Sequence, residues 1–270
     1  MSYLSCNGQP LEAMLTPTLL VNYGHFTSLQ VRAGAVQGWS LHLQRLQQGS
    51  QELFGSALDE DQLQDWLRQA LQAFALEDAS LRITVFSRQF DFRRPQQAAP
   101  LDVLIGLAAP ATMPTTPRSV LPTRYQRELP HLKHVGTFPL FHLRREAMRQ
   151  GFDDALLVDA AGVISEGSAW NLALWDGAQV VWPRAAALRG TAEQLLVQGL
   201  EALGQVQVQR PVALDELPGF SGAVACNATG LWPLGRVGAQ AFEQSQGLLR
   251  LLRQALVLAP WSPLTQAGVA

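Results

Sequence analysis

Lysine is almost absent from this 270-residue chain. Only one of the 20 lysine and arginine residues is a lysine, Lys133, and the other nineteen are arginines. Arginine cannot replace lysine where a neutral nucleophilic nitrogen is needed, because the guanidinium group stays protonated. A lysine in a desolvated pocket can lose its proton and attack a carbonyl carbon, so Lys133 is a candidate Schiff-base residue. From the count alone, a biased composition that leaves one surface lysine is the commoner explanation.

Cysteine is also scarce, and its two occurrences, Cys6 and Cys226, lie far apart in the chain. They form no Cys-x-x-Cys pair, which argues against a disulfide framework and against a zinc site. None of the five histidines has the spacing of a His-Glu-x-x-His motif. The sequence therefore gives no reason to expect a bound metal.

Strong net charge is missing as well. The formal net charge is −2, so the composition predicts binding neither to nucleic acid nor to an anionic membrane. The first residues lack the basic and apolar regions of a signal peptide, and no apolar run reaches membrane-spanning length. These absences lead us to expect a cytoplasmic location.

The chain does have the length and apolar content for a sizeable core, with 270 residues of which 47% are hydrophobic. A stretch rich in proline and threonine, residues 111–119, is the best candidate for a linker. It separates a predicted N-terminal α+β domain, residues 1–110, from a predicted C-terminal α/β domain, residues 120–270, which carries the lysine. The fold class expected for the whole chain is α/β (α+β) with two domains.

Local patterns predict several elements. The clearest helix covers residues 61–76, where apolar residues recur at helical spacing and Asp59 or Asp61 can cap the start. A shorter helix is predicted over residues 40–48, and another over residues 190–203. Asp176-Gly177 lies between two apolar runs and predicts the turn of a β-hairpin.

Two further features suit an anionic cofactor that forms an imine. Glu166 stands at the end of a predicted strand, and a carboxylate that faces a pyridine nitrogen keeps that nitrogen protonated, so that the ring accepts electrons. Gly190-Thr191-Ala192 opens a predicted helix, whose unpaired N–H groups favour a phosphate. An exposed turn acid and an ordinary helix start are the plainer alternatives. No glycine-rich nucleotide-binding motif is present.

These residues stand in three strings that occur in a recognisable order: Leu132-Lys133-His134, then Ile-Ser-Glu-Gly-Ser-Ala-Trp-Asn-Leu at 164–172, then Leu188-Arg189-Gly190-Thr191. With them the chain resembles the class-IV aminotransferases, the fold-type-IV pyridoxal 5′-phosphate enzymes. That family includes branched-chain aminotransferases, D-amino-acid aminotransferases and aminodeoxychorismate lyases. Residues 23–28, 42–46 and 227–233 also resemble it, so the resemblance extends from about Tyr23 to Pro233.

The resemblance implies a small N-terminal α+β domain, a larger C-terminal pseudo-barrel domain, bound pyridoxal 5′-phosphate and a homodimer. Lys133 would hold the cofactor as a Schiff base and move a proton in catalysis, and Glu166 would bind the pyridine nitrogen. Arg45 would pair with the phosphate, although a solvated helix arginine is an equally good explanation for it. The remaining implied phosphate contacts are Gly190, Thr191, Ala192, Asn227, Ala228 and Thr229.

The chain departs from the family pattern at informative positions. Ala192 stands where many members carry a second hydroxyl, and Phe138 stands where branched-chain enzymes place a tyrosine. Trp170 is bulky where smaller residues are usual, so it either narrows the pocket or packs in the core. The expected substrate pocket comprises Tyr23, Phe138, Ser168, Ala169 and Trp170.

The expected function is transfer of an amino group between an amino acid, or an amine, and a 2-oxo acid through the Lys133 Schiff base. A 4-amino-4-deoxychorismate lyase-type reaction would use the same lysine and eliminate pyruvate. A relative that binds pyridoxal 5′-phosphate without turnover is the third possibility, and the retention of both Lys133 and Glu166 argues against it.

Overall fold

The computed structural model describes residues 2–10, 22–74 and 77–264. The chain forms two compact units. The first unit comprises Met1–Ala111, Leu132–Gly136 and Pro260–Ala270, and the second comprises Thr112–His131 and Thr137–Ala259. Lys133 thus lies in the first unit, whereas the sequence placed it in the C-terminal domain. The proposed linker, residues 111–119, lies almost wholly in the second unit, where its last two residues begin a strand.

The first unit is built on a five-stranded antiparallel sheet. In spatial order its strands are β2 (Gln9–Pro10), β1 (Ser2–Cys6), β6 (Asp102–Ala108), β5 (Ala79–Phe86) and β3 (His25–Val31). A separate two-stranded sheet pairs β4 (Ala35–Gln37) with β16 (Trp261–Pro263). Alternate residues of β3 and β5 are buried, which is the pattern of a sheet with one face on the core.

Two helices cover that face, α1 (Trp39–Phe54) and α2 (Glu60–Phe74). The buried residues of α2 recur at helical spacing: Leu63, Leu67, Ala70 and Phe74. The Asp59 side chain accepts a hydrogen bond of 3.0 Å from the N–H of Gln62 and caps the helix start. The helix predicted at 61–76 is therefore confirmed as far as Phe74, and residues 75 and 76 lie outside the described residues. Helix α1 is longer than the 40–48 predicted, because it continues through Gly49 to Phe54.

The Lys133 segment joins the first unit by backbone pairing with the start of β3. The N–H of Phe26 donates to the carbonyl of Lys133, and the N–H of Val135 donates to the carbonyl of Gly24, each at 2.9 Å. An antiparallel bridge between His25 and His134 lies between these two bonds. Since β3 is an edge strand, this pairing satisfies its otherwise free backbone groups. Local sequence patterns cannot reveal a contact between residues more than 100 positions apart.

The second unit is built on a nine-stranded mixed sheet. In spatial order, eight of its strands are β12 (Gln207–Arg210), β11 (Val180–Pro183), β10 (Asn171–Trp175), β13 (Gly222–Asn227), β14 (Gly230–Val237), β7 (Arg118–Arg124), β8 (Asp154–Val158) and β9 (Ile164–Gly167). The short β15 (Gln240–Ala241) pairs with β14. Strand β9, at one end of this order, also contacts β10 and β11, so the sheet curls into a half-barrel. The fold-type-IV architecture expected from the sequence is confirmed.

The helical elements of the second unit are α3 (Phe138–Arg149), α4 (Thr191–Ala202), a 3-10 helix (Leu214–Gly219) and α5 (Ser245–Val257). The hairpin predicted at Asp176-Gly177 is confirmed, since β10 pairs with β11 and the Asp176 carboxylate accepts hydrogen bonds from the N–H groups of Ala178 and Gln179. Within the described ranges, no helix combines the length and apolarity needed to cross a membrane.

Helices α4 and α5 pack closely at Gly199, where an added Cβ would overlap the carbonyl group of Ala255. We expect Gly199→Ala to destabilise the protein by about 1–2 kcal/mol. The overlap costs about 1–3 kcal/mol and outweighs a gain in helix propensity of at most about 1 kcal/mol. Urea unfolding of Gly199→Ala, with Gln198→Ala at an exposed position of the same helix as control, measures the difference. A Gly199→Ala variant as stable as the parent would contradict this packing.

Candidate functional site

Lys133 is half-buried in the first unit beside the ring of Phe26. Its Nζ lies 4.9 Å from the ring centroid, and the guanidinium carbon of Arg82 lies 3.6 Å from the same centroid. Phe26 is itself buried, so the ring holds both cations close to the core of the sheet. Arg82 was not singled out in the sequence, where it is one of nineteen arginines.

Helix α1 brings His42 and Arg45 into the same part of the first unit. His42 is buried, and its Nδ1 lies 2.6 Å from the hydroxyl of Thr27 on β3. Burial lowers the pKa of His42 to about 3, with smaller contributions from the positive charges of Arg45 and Lys133. Arg45 follows one turn later and is half-buried. The structure thus places Arg45 and Lys133 near enough to His42 for both charges to act on it.

A second pair of side chains also ties α1 to β3. The Nε2 of His25 lies 3.2 Å from the hydroxyl of Ser50, and both groups are buried. An added Cβ at Gly49 would lie 2.6 Å from the His25 ring, so glycine is needed there for space. Burial lowers the pKa of His25 to about 4. The His25–Ser50 and His42–Thr27 contacts fix α1, which carries Arg45, against β3, which pairs with the Lys133 segment.

Tyr23 of the expected substrate pocket is half-buried in the first unit. Its ring stacks on Phe90 at a centroid distance of 4.2 Å and meets Phe54 edge-on at 5.6 Å. Its hydroxyl donates to the carbonyl of Leu53 at 3.3 Å. The aromatic ring therefore packs against neighbours of its own unit, which holds Tyr23 in one orientation.

Glu166 of β9 lies in the second unit in a buried ion pair. Its Oε1 is 3.5 Å from Nη1 of Arg127, and the two side chains are only 4% and 5% exposed. A buried arginine is rare, and this one lies three residues after the end of β7. The two opposite charges are thus paired in the interior of the second unit. Local sequence patterns do not single out Arg127, because its partner is 39 positions away in the chain.

Two buried polar atoms close to Glu166 have no hydrogen-bond partner among the described residues. They are Nε of Arg127 and the hydroxyl of Ser168, the residue two positions after Glu166. Buried polar groups in proteins are rarely left without a partner, and a bound polar molecule is one way to supply it. A polar ligand beside Glu166 would supply partners for these two atoms.

A tight turn connects Glu166 to Asn171. The N–H of Gly167 donates to the carbonyl of Trp170 at 2.7 Å, and an added Cβ at Gly167 would overlap the Trp170 indole. Trp170 is buried, donates from Nε1 to Asp154 at 3.1 Å and meets Trp232 edge-on. The indole thus packs in the core of the second unit. Ala169, at the tip of the turn, is exposed.

The start of α4 is the candidate anion site of the second unit. Gly190 precedes the helix, and no side chain in the described part of the chain caps it, which leaves N–H groups of the first turn for a ligand. Thr191 and Ala192 are buried. The loop before the helix is bound by Asn171 of β10, which donates to the carbonyl of Leu188 at 2.8 Å.

The turn after β13 holds Asn227, Ala228 and Thr229, all half-buried. The side-chain Oδ1 of Asn227 accepts from the N–H groups of Thr229 and Gly230, and its Nδ2 donates to the carbonyl of Ala169 at 3.1 Å. The Asn227 amide is therefore used within the protein, and it joins this turn to the turn that follows Glu166. Phe138, by contrast, is 76% exposed at the start of α3, where its ring stacks on His142.

Hydrogen bonds thus connect three segments of the second unit, residues 166–171, 188–191 and 227–230. Within residues 2–10, 22–74 and 77–264, no group of three or more histidine, cysteine, aspartate or glutamate side chains could hold a metal ion.

Comparison with known proteins gives a consistent result. A family model described as amino-transferase class IV matches residues 24–237. The fold is similar to the branched-chain amino acid aminotransferase of Escherichia coli, with 18% identity, a TM-score of 0.83, and coverage of 99% of this chain and 97% of that one.

Two further solved structures have the same fold. The branched-chain aminotransferase of Thermoproteus uzoniensis, solved with norvaline, has 16% identity, a TM-score of 0.84, and coverage of 97% and 99%. A hypothetical aminotransferase of Mycobacterium tuberculosis in its PLP-bound form has 17% identity, a TM-score of 0.77, and coverage of 94% and 99%. No curated protein matches the chain by sequence.

The two buried histidines predict a pH-dependent stability. Since His25 and His42 resist protonation in the folded protein while the unfolded chain takes up protons below about pH 6.5, the free energy of unfolding falls as the pH drops from 6.5 towards 4. We expect a loss of roughly 1–2 kcal/mol per histidine between pH 7 and pH 5.

Urea unfolding at pH 7, 6 and 5 measures this loss. His42→Gln, whose amide can still bond to Thr27, is expected to show about half of the pH dependence. Gln47→Ala, at an exposed position of the same helix, controls for the effect of substitution in α1. An unchanged pH dependence in His42→Gln would show that this histidine does not resist protonation.

Proposed function

Because the chain belongs to the class IV aminotransferases, enzymes that use pyridoxal 5′-phosphate, we propose that it transfers an amino group between an amino acid or amine and a 2-oxo acid. The observation that carries the proposal is the buried Glu166 carboxylate paired with Arg127. An ionised carboxylate in that environment suits a protonated ring nitrogen, and the unpartnered polar atoms of Arg127 and Ser168 beside it are compatible with a polar ligand. The residues present therefore fit the cofactor.

When bound, pyridoxal 5′-phosphate accepts the electron pair left behind when the substrate loses a proton. In the proposal, Glu166 would hold the proton on the ring nitrogen, and Arg127 would hold the Glu166 side chain in place through their ion pair. Both roles require charged side chains that keep their positions and are shielded from solvent. Both side chains are almost fully buried.

Lys133 is the proposed catalytic residue. Its Nζ would attach the cofactor and, once free, would take up a proton as general base and return it as general acid. The amine would be neutral in the first role and protonated in the second. The guanidinium of Arg82 lies on the same Phe26 ring.

The proposed phosphate contacts are the charge of Arg45, the first-turn amides of α4 with the hydroxyl of Thr191, and the turn at 227–229. Ala192 has no hydroxyl, so its contribution is limited to its backbone N–H. Asn227 has its side chain engaged with Ala169 and the following backbone, so it contributes to the shape of the turn. Ala228 would contribute its backbone N–H. Thr229 would contribute its hydroxyl, because its N–H already donates to Asn227.

We also propose that the protein is a homodimer. Phe138, Phe141 and Met148 are exposed on α3 at spacings of three and seven residues, so they share one face of that helix. Such a run of large apolar side chains is a common feature of contact surfaces between proteins.

The reaction class can be tested with a panel of amino donors. An aminotransferase converts each accepted donor to its oxo acid and needs a 2-oxo acid to turn over, whereas a lyase of the aminodeoxychorismate type releases pyruvate from its substrate without an acceptor. We expect turnover that depends on the acceptor and is lost in Lys133→Arg, which keeps the charge but cannot act as a neutral amine. Release of pyruvate without an acceptor would contradict the aminotransferase reaction and support the lyase reaction.

Glu166→Gln tests the carboxylate. We expect the variant to bind the cofactor but to turn over at least about a hundredfold more slowly, since the amide cannot hold the ring proton. Single-turnover kinetics at saturating cofactor measure the change, and Glu201→Gln, exposed on α4, is the control. Turnover within twofold of the parent would show that Glu166 does not hold the ring proton.

A further inference from the structure

Asn171, the first residue of β10, uses both halves of its side-chain amide on one loop. The Nδ2 group donates to the carbonyl of Leu188 at 2.8 Å, and the Oδ1 atom accepts from the N–H of Gly190 at 3.2 Å. Asn171 is only 6% exposed. Asn171 therefore binds the loop between β11 and α4 at two backbone groups immediately before the helix starts, and the Arg189 side chain binds the same loop through the carbonyls of Pro183 and Ala185.

The identity of Gly190 agrees with this contact. Its backbone angles, φ −65° and ψ 147°, are available to any residue, so its conformation does not require glycine. An added Cβ would, however, overlap the Oδ1 atom of Asn171. Gly190 is thus needed for the close approach of the Asn171 amide, which indicates that this approach is a specific feature of the site.

Asn171 also lies at the opposite end of the tight turn from Glu166. The Gly167 to Trp170 hydrogen bond closes that turn, and Asn171 pairs with Cys226 of β13 in the interior of the sheet. The strand position of Asn171 is therefore fixed from both sides. The residues on the two sides of this turn are thus the Glu166 carboxylate and the Asn171 amide, which binds the α4 loop.

We propose that Asn171 is a positioning residue that sets the start of α4 relative to Glu166, and thereby determines how tightly the protein binds the phosphate end of its cofactor. The inference rests on the proposed function. Asparagine suits the role because it donates and accepts at once, whereas aspartate can only accept and adds a negative charge near the proposed phosphate contacts.

The test compares Asn171→Ala and Asn171→Asp with Ser245→Ala. Ser245 is a matched control, because its buried hydroxyl also makes two hydrogen bonds, one from the N–H of Ala223 and one to the carbonyl of Leu234. It lies at the opposite end of β13 from Cys226. Dissociation constants of the cofactor-free protein are measured by fluorescence titration with pyridoxal 5′-phosphate and with pyridoxal, which lacks the phosphate.

We expect Asn171→Ala to weaken binding of pyridoxal 5′-phosphate by about tenfold to a hundredfold and Asn171→Asp by more, while pyridoxal binding changes by less than about threefold. Ser245→Ala is expected to lower the unfolding temperature without changing either constant. A dissociation constant for pyridoxal 5′-phosphate within twofold of the parent in Asn171→Ala would overturn the inference, and so would an equal loss for both ligands.

Failure to fold of both Asn171 variants, with Ser245→Ala folded, would also overturn it, because Asn171 would then serve the fold in general. These outcomes are distinguishable from failure of the proposed function. That failure appears in the parent protein itself, as absence of pyridoxal 5′-phosphate binding or of amino transfer.

Discussion

The tight turn from Gly167 to Trp170 is the constraint on which the candidate site of the second unit depends. Its hydrogen bond sets the spacing between Glu166 and Asn171, and the Trp170 indole occupies the space that a side chain at position 167 would need. The indole is buried and bonded to Asp154, so the turn is anchored in the core. A carboxylate that holds a ring proton has to keep its position, and this turn provides that fixation.

The first unit shows an equivalent arrangement around β3. The strand pairs with the Lys133 segment on one side, and its histidine and threonine side chains bond to α1, which carries Arg45. In each unit, therefore, the groups that we assign to chemistry are on or beside regular elements, and buried polar contacts hold those elements. Such contacts specify orientation, since a buried polar group left without its partner is destabilising.

Much of this could be predicted from the sequence, and the failures have physical causes. The periodicity of 61–76 and the Asp176-Gly177 turn are local signals, and both predictions are confirmed. The strings around Lys133, Glu166 and Gly190 identified the family and the cofactor correctly. The pairing of residues 132–136 with β3, the role of Gly49 under the His25 ring and the Arg127 partner of Glu166 depend on contacts distant in sequence. Local patterns carry no information about such contacts.

The central claim is that Lys133 is the residue that holds the cofactor. Reduction of the cofactor-loaded protein with borohydride, followed by proteolysis and mass spectrometry of the peptides, tests it most directly. Lysine occurs once in the chain, so the assignment is unambiguous. The account predicts that the reduced cofactor is attached to the peptide that contains Lys133. A reduced cofactor on the α-amino group, or none on any peptide of a protein that transfers amino groups, would contradict it.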